Sequence, residues 1–425
     1  VKIAIIGSGI SGLTAAYLLH QDHEIVLYEA ADRLGGHTAT VSVELAGTTY
    51  DIDTGFIVFN DWTYPNFIRL MDQIGVKSRQ SDMSFSVSCE SSGLEFAGMD
   101  GKLQLLNGLF AQRRNLFSPS YLNMLREIVR FNKVAIADVE NQRIDAGINL
   151  REYVAKYRFG KLFTEFYLIP MASAIWSTPF RDMYDFPMGF MLPFMYRHGL
   201  LSVSHRPKWH TLQGGSSSYL APLSAGFSDS VRLATPVTGV RRFEDHVEVM
   251  TQGMSERYDQ VILACHSDQA LSLLQDTQSI EGDTLSAVRY QPNDVVLHTD
   301  IKQLPHNRRA WASWNYRLSP GCEERLPVVT YDMNRLMGVQ SSERFCVTLN
   351  NSSHIAEERI LGRFEYAHPI FTQSGVDAQA RWHEINGQRR TWFCGAWWGK
   401  GFHEDGVNSA VRVAEALGVV TGMQV

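Results

Sequence analysis

The sequence predicts a two-domain α/β protein, and three observations carry that expectation. The chain opens on a short apolar run, Lys2 to Ile6, followed at once by Gly7-Ser8-Gly9-Ile10-Ser11-Gly12 and an apolar helical face. Short alternating runs gather in mid-chain between Thr235 and Cys265, and a strand–loop–helix pattern closes the chain from Trp392 to Leu417. With 425 residues, 44% hydrophobic and 20% charged, there is material for two domains and a sizeable core.

The opening run KIAII reads as a buried parallel strand. Leu13, Ala16, Tyr17 and Leu19 then line one helical face, and Ile25 to Tyr28 form a second strand closed by Glu29. A lone GxGxxG is weak. Between a strand and a helix, with an acid 17 positions after its last glycine, it is the context of a Rossmann-type dinucleotide site. Gly7 permits the tight turn, Gly9 lets backbone approach a pyrophosphate, and Gly12 lets the helix pack close to the strand. The helix start, with Ser8, Ile10 and Ser11, offers unpaired N–H groups to phosphates. Glu29 is suited to accept hydrogen bonds from an adenosine ribose. This unit alone does not separate NAD from FAD, and a βαβ unit without ligand is the bland alternative.

The totals exclude several classes. A net charge of −6 leaves no basic surplus for a nucleic-acid partner. Cys89, Cys265, Cys322, Cys346 and Cys394 are odd in number and never in a CxxC or CxxxxC pair, which argues against a disulfide framework, a metal site or a redox disulfide. The start reads directly into a strand without a secretion signal, and no window reaches the roughly 18 apolar residues of a membrane span. The expectation is a cytoplasmic protein.

The next segments carry a family resemblance. GSGISG, then Tyr28-Glu29-Ala30-Ala31-Asp32-Arg33-Leu34-Gly35-Gly36-His37-Thr38, resembles the FAD-binding start of the flavin amine oxidase superfamily, which includes phytoene desaturases and protoporphyrinogen oxidases. The resemblance implies non-covalent FAD, with Ala30, Arg33, Leu34, Gly35 and Gly36 bringing a second backbone segment to the pyrophosphate. His37 stands where a basic residue often follows the glycines. Asp51 to Phe56 resembles the segment that next passes the flavin, with Thr54, Gly55 and Phe56 at the cofactor and Gly55 admitting backbone close to the ring. In mid-chain, TPVTGVRRF, HVEVMT and YDQVILAC read as three strands with turns at Glu244-Asp245 and Gln252-Gly253. There the superfamily implies adenine contact by the backbone of Val237 and a small residue, Ala264, ending the last strand. Gln213-Gly214-Gly215-Ser216 leads into this return.

The implied architecture is an amine-oxidase-like fold. A discontinuous Rossmann-type FAD-binding domain (1–75, 205–275 and 385–425) is interleaved with an α+β substrate domain (76–204 and 276–384). Residues 103–204 read as mostly helical, and SFSVS, VVLHT, AWASWNY, PVVTY and FCVTL as strands. GSGISG is the only GxGxxG, so no second dinucleotide domain serves NAD(P)H, and an oxidase or desaturase fits better than a reductase.

The closing stretch GAWWGKGFHEDGVN precedes Val407, Ala410, Val411, Ala414 and Leu417 at helical spacing, with Asp405 as N-cap and Gly418 as stop. In the superfamily this strand–loop–helix ends the FAD site, which implies Gly395, Ala396, Phe402, Glu404, Asp405, Gly406 and Val407 as cofactor neighbours. Ala396 stands where an acid or threonine is common. His403 is the catalytic candidate, as a general base or substrate-orienting group; capping of the helix by His403 and Glu404 is the alternative. Cys394 stands where the pattern has a small residue, against a covalent flavin bond.

On the substrate side, residues 168–201 are dense in Met, Phe, Trp and Pro. Met171, Met183, Met188, Met191 and Met195 fill a core, line an elongated apolar pocket, or form a membrane-docking face. Trp176, Trp311, Trp314, Trp397 and Trp398 are candidates for the substrate-pocket walls. IPMASAIWSTP, RHGLL, RPKWHTLQGGSSSY, AWASWNY and GFHEDGVNSA resemble a bacterial subgroup of FAD/NAD-binding amine oxidase-like proteins, often encoded beside cyclopropane-fatty-acid-synthase-like methyltransferases. By association this implies a lipid acyl-chain substrate, a methyltransferase partner and peripheral contact at the inner membrane face. True amine oxidases carry a lysine on a substrate-domain strand; Val295 to Asp300 has none, and Lys302 lies just beyond. Three readings stay open: an FAD-dependent oxidoreductase of an apolar small-molecule or lipid substrate, a flavin amine oxidase, and a flavoprotein whose FAD is structural.

Overall fold

The structure, a computed structural model, describes residues 1–145, 147–202 and 205–424. Ala146, Val203 and Ser204, within the stretch read as helical, lie outside the described residues. The centre of the first domain is a five-stranded parallel sheet in the order Val231–Arg232, Glu24–Tyr28, Lys2–Ile6, Gln260–Leu263 and Thr391–Phe393. Its strands come from the start, middle and end of the chain. Ile3, Ala4 and Ile5 are fully buried, as a strand covered on both faces must be. The first helix, Ile10–Leu19, and the last, His403–Ala416, pack against each other beside this sheet.

The mid-chain return holds four strands rather than three. Gly239–Arg242, Val247–Thr251 and Met254–Tyr258 make a separate antiparallel sheet, and only Gln260–Leu263 joins the parallel one. The run MSERY was missed because it faces solvent and carries no apolar alternation. Gly253, at φ +81°, makes the tight turn that lets it fold back.

The second domain is built on a seven-stranded sheet in the order Ile360–Ile370, Arg289–His298, Cys346–Leu349, Val328–Asp332, Trp314–Leu318, Phe85–Cys89 and Glu95–Gly98. Helices cover it, including the 22-residue Pro119–Glu140, which starts with Ser118 as cap and Pro119 in its first turn. Before Pro170 the helical run widens into a π turn over Thr164–Leu168, which relieves the clash of a proline ring with the preceding turn.

Two hydrophobic cores correspond to the two sheets, and they divide the chain differently from the expected boundaries. Val43, Ile52 and Ile57 belong to the second core, because the hairpin Thr40–Leu45/Thr48–Asp53 leaves the parallel sheet. Leu285, Val288 and Trp382 belong to the first. Met171, Met183, Met188, Met191 and Met195 are buried in the second core. The membrane-docking alternative for residues 168–201 is therefore corrected: their methionines face inward.

One buried ion pair ties the mid-chain return to the residues after it. Arg242 donates to both oxygens of Glu281 and to Asp276 Oδ1 at 3.0 Å, with the Arg242 and Glu281 side chains almost fully buried. Removing one partner leaves a desolvated charge. Glu281→Ala is expected to lower the unfolding free energy by about 3 kcal/mol, read from urea denaturation at pH 7.

Candidate functional site

The glycine-rich turn is packed as tightly as its sequence implies. Gly7 sits at φ +104°, and a Cβ on Gly12 would lie 1.9 Å from the Gly7 carbonyl oxygen and 3.2 Å from Ala264 Cβ. Ala264 is thus the small residue that lets strand and helix meet. Gly9 is different: at φ −64° a Cβ there would meet nothing within 4 Å. The space above it is open. Glu29, at the end of the second strand, accepts from Ser8 N at 2.9 Å and Ser8 Oγ at 2.5 Å, and from Ala31 N at 2.9 Å. The Val237 segment returns beside it, through Thr235 N to Glu29 O at 2.9 Å.

The second glycine pair closes onto this turn. Gly35 N donates to Ser8 O at 3.0 Å, and a Cβ on Gly36 would come within 3.2 Å of Gly9 Cα. Arg33 donates to the carbonyls of Leu34, Gly36 and Thr38, so its guanidinium shapes this loop from outside. Ala30, Arg33 and Gly36 stay exposed and Leu34 is half-buried. Gly55 presses on the same loop: a Cβ would stand 2.0 Å from the His37 carbonyl oxygen, which also accepts from Phe56 N at 2.9 Å. The close approach that requires glycine here is to His37, not to a ring. Thr54 donates from N to Ala39 O at 2.9 Å and meets Tyr366 Oη through Oγ1 at 2.9 Å.

Four histidines converge beyond the loop. The His37 ring lies 5.8 Å from His266 and 5.7 Å from His368, and His403 stacks on Phe56 with centroids 3.5 Å apart. His403 Nε2 is 3.0 Å from Thr38 Oγ1, which also meets Tyr219 Oη at 2.6 Å. Each of the four rings keeps some accessible surface although protein encloses it, the situation of groups that line an internal crevice. Desolvation pulls His37 and His266 down to about 4 and His368 and His403 to about 3, so all four are neutral imidazoles at pH 7. The titration range expected of His403 as a base is removed by burial.

The closing loop is held from both ends. Gly395 N donates to Ser409 Oγ at 2.8 Å, and the Ala396 carbonyl accepts from Gly399 and Gly401. The helix starts at His403 with Phe402 as N-cap, so Asp405 is not the cap residue: it sits one turn in and accepts from Phe402 N at 2.9 Å. Glu404 does not bond His403. It accepts from Asn66 N and Phe67 N at 3.0 and 2.8 Å, capping the helix Pro65–Gln73. A Cβ on Gly406 would meet Ile10 Cγ2 at 2.7 Å and Ser11 Oγ at 2.9 Å, and Val407 is fully buried. The starts of the first and last helices therefore converge on one crevice, where their positive dipole ends suit an anionic or electron-accepting group.

Comparisons with known proteins bear on this geometry. The family model described as flavin containing amine oxidoreductase matches residues 10–296. The chain belongs to this family. It is similar to the 15-cis-phytoene desaturase of Solanum lycopersicum, 25% identical over 319 residues, which cover 72% of this chain and 49% of that protein. The chain spans about half the length, or less, of the curated relatives it matches. Among solved structures, its fold is similar to cyclohexylamine oxidase from Brevibacterium oxydans (TM-score 0.66, 16% identity, 98% and 99% of the two chains). It is likewise similar to a CLA-producing fatty acid isomerase from P. acnes (TM-score 0.67, 16% identity, 98% of each chain).

The residues present fit the family's cofactor, FAD. Open space over Gly9, the exposed Gly36 beside it and two helix starts make a cradle for a pyrophosphate, and Glu29 lies at the strand end next to it. The five candidate tryptophans do not all come together in one wall. Trp397 and Trp398 stack on each other in the first core and donate to the carbonyls of Cys265 and Phe393. Trp311 donates to Pro305 O beside Arg308 and Arg344, and Trp314 meets Tyr331 edge-on. The Trp176 ring lies 4.9 Å from Phe194, which stacks on Phe402 at 5.1 Å. Thr38 and Tyr219 lie at the ends of motifs that sequence reasoning marked without giving them a role, and His266 and His368 carry no local motif. Sequence reasoning also passed over Lys400, which lay inside the stretch it singled out.

Two predictions follow from the packing. Gly9→Ala should keep wild-type stability yet weaken FAD binding at least about tenfold, because its methyl group enters only the ligand's space. Gly55→Ala should destabilise the apoprotein itself; urea denaturation and FAD titration separate the two. His403 concerns pH. Its folded value, about 3, lies below the ordinary 6.5, so the stability that depends on its neutrality is lost as pH falls from 6.5 toward 3. His403→Gln should lose less stability across that window than wild type. Asp53 and Glu404, raised by burial to about 6 and 7, act oppositely but are common to both proteins.

Proposed function

We propose that the protein is an FAD-dependent oxidoreductase that acts on a C–H bond of an apolar, lipid-related substrate. FAD, when bound, supplies the two-electron acceptor for the hydride. The chain's own residues supply the rest. Thr38 and Tyr219, both fully buried, hold the half-buried His403 ring through hydrogen bonds, so that a neutral imidazole is positioned there at pH 7. Phe402 contacts both hydrophobic cores and leads from the crevice into the aromatic and methionine-rich interior of the second domain. That lining excludes water and holds an alkyl chain by area alone.

The observation that carries the choice of substrate is Lys400. Its Nζ lies 3.4 Å from the centroid of Phe190, among Phe194, Phe371 and Phe402. Burial lowers it to about 8, while Asp405 works the other way, so it is a cation at neutral pH. The Lys400 cation among these rings disfavours a substrate ammonium there, an effect that the Asp405 carboxylate offsets in part. It favours neutral or anionic chains over amines.

The finer grouping is also our reading. The motifs IPMASAIWSTP, RPKWHTLQGGSSSY and GFHEDGVNSA support membership of the bacterial subgroup encoded beside lipid methyltransferases, and with it a methyltransferase partner.

Anaerobic mixing of the FAD-loaded protein with acyl-chain lipids is expected to bleach the flavin band, and matched alkylamines are not. Bleaching by amines alone would sink the lipid reading; no bleaching by either class would favour a structural FAD. Lys400→Met should improve binding of the alkylamine about tenfold or more while leaving a neutral chain of equal length nearly unchanged.

A further inference from the structure

The segment from Gly101 to Arg126 departs from the rest of the molecule in charge and exposure. It contains Lys102, Arg113, Arg114 and Arg126 and no acidic residue, in a protein of net charge −6. It also carries the most exposed large side chains of any single stretch: Phe117 is 86% accessible, Leu103 74% and Leu106 55%, with Leu116 and Leu122 beside them. Single exposed leucines need no explanation; five within one short segment do.

Local geometry explains why these groups face out together. Helix Lys102–Leu109 rests on the strand Glu95–Gly98 through Gly108, where a Cβ would stand 2.6 Å from the Ala97 carbonyl oxygen. Leu103 and Leu106, one turn apart, then project from its opposite side. The turn Arg113–Phe117 is tied to this helix by Arg113, which donates to Asn107 Oδ1 and Phe110 O, both at 2.8 Å. It runs directly into the long helix, whose outer face repeats the pattern: Leu122, Arg126, Val129 and Lys133 follow at helical spacing and all are exposed. The inner face of that helix, with Met124 and Phe131, packs on the helices of the methionine-rich core.

An apolar ridge flanked by cations, with its one carboxylate, Glu127, buried on the inner side against Gly160, is the surface that lies in a lipid headgroup layer. No helix among the described residues is long and apolar enough to cross a membrane. We propose that this face, from Lys102 through Lys133, docks the protein on a phospholipid bilayer bearing anionic headgroups. Leu103, Leu106 and Phe117 enter the acyl boundary, while Lys102, Arg113, Arg114 and Arg126 meet the headgroups. The proposal does not depend on the substrate assigned above. If both hold, a substrate drawn from the bilayer would approach the methionine-rich core on which the long helix packs.

The test is flotation of the FAD-loaded, full-length protein with vesicles containing about one-third phosphatidylglycerol, compared with pure phosphatidylcholine vesicles. Binding is expected to the first and at least about tenfold weaker binding to the second, with release at high salt. Leu103→Gln/Phe117→Ser and Lys102→Gln/Arg126→Gln should each reduce binding about tenfold or more while keeping the wild-type flavin spectrum and urea midpoint. No binding to the anionic vesicles, or variants that bind as wild type does, would overturn the proposal. So would light scattering that shows a dimer which Phe117→Ser dissociates, since the face would then be a contact between copies.

Discussion

The last helix reaches the first at a point where only glycine fits. Gly406 lies against Ile10 and Ser11, so the end of the chain is locked onto its beginning. Much of the site depends on that contact. Because the helix start is fixed there, Phe402, His403 and Glu404 each have one direction to point: toward the second core, the Thr38 hydroxyl and the backbone of Asn66 and Phe67. Two helix N-termini are thereby aimed at one crevice, which no single βαβ unit achieves. A side chain at position 406 would push the helices apart and misdirect all three groups.

The same contact sets the electrostatics. Enclosure strips the nearby histidines of their charge, leaving imidazoles that hydrogen-bond but do not titrate near neutrality. Positive character on this side therefore comes from oriented backbone, which costs no desolvation of an ion. On the far side of Phe402 the situation reverses. Lys400 keeps its charge among aromatic rings, where a ring face partly replaces water as its partner. Phe402 stands between the two settings, packed against both hydrophobic cores.

Glu404 and Asp405 illustrate how proximity in sequence can mislead. The run His-Glu-Asp resembles a catalytic or capping cluster, yet its three side chains serve three different partners. Glu404 caps a helix more than 300 residues earlier in the chain. Asp405 fits only because Gly399 has no side chain, since a Cβ there would lie 2.1 Å from Asp405 Oδ1. Trp397 and Trp398, equally conspicuous, spend their N–H groups on nearby carbonyls and stabilise the turn.

What the sequence determined by itself was everything governed by local backbone chemistry. GSGISG between strand and helix, the paired glycines after Arg33, and the glycine stop at 418 each follow from steric demands within a few residues. Strands with apolar alternation, such as Phe85–Cys89 and Cys346–Leu349, were legible for the same reason. The edge strand Ile360–Ile370 was not: apart from the exposed Arg363 and Glu365 it is half-buried, and it mixes charged with apolar residues, so it has no period to detect. Only the tertiary structure decided which of the marked residues meet. It gathered His37, His266, His368 and His403 from four distant segments, turned the methionines of 168–201 inward, and exposed the leucines of 103–122. Those outcomes depend on how two cores divide one chain, a long-range competition for burial that no local pattern records.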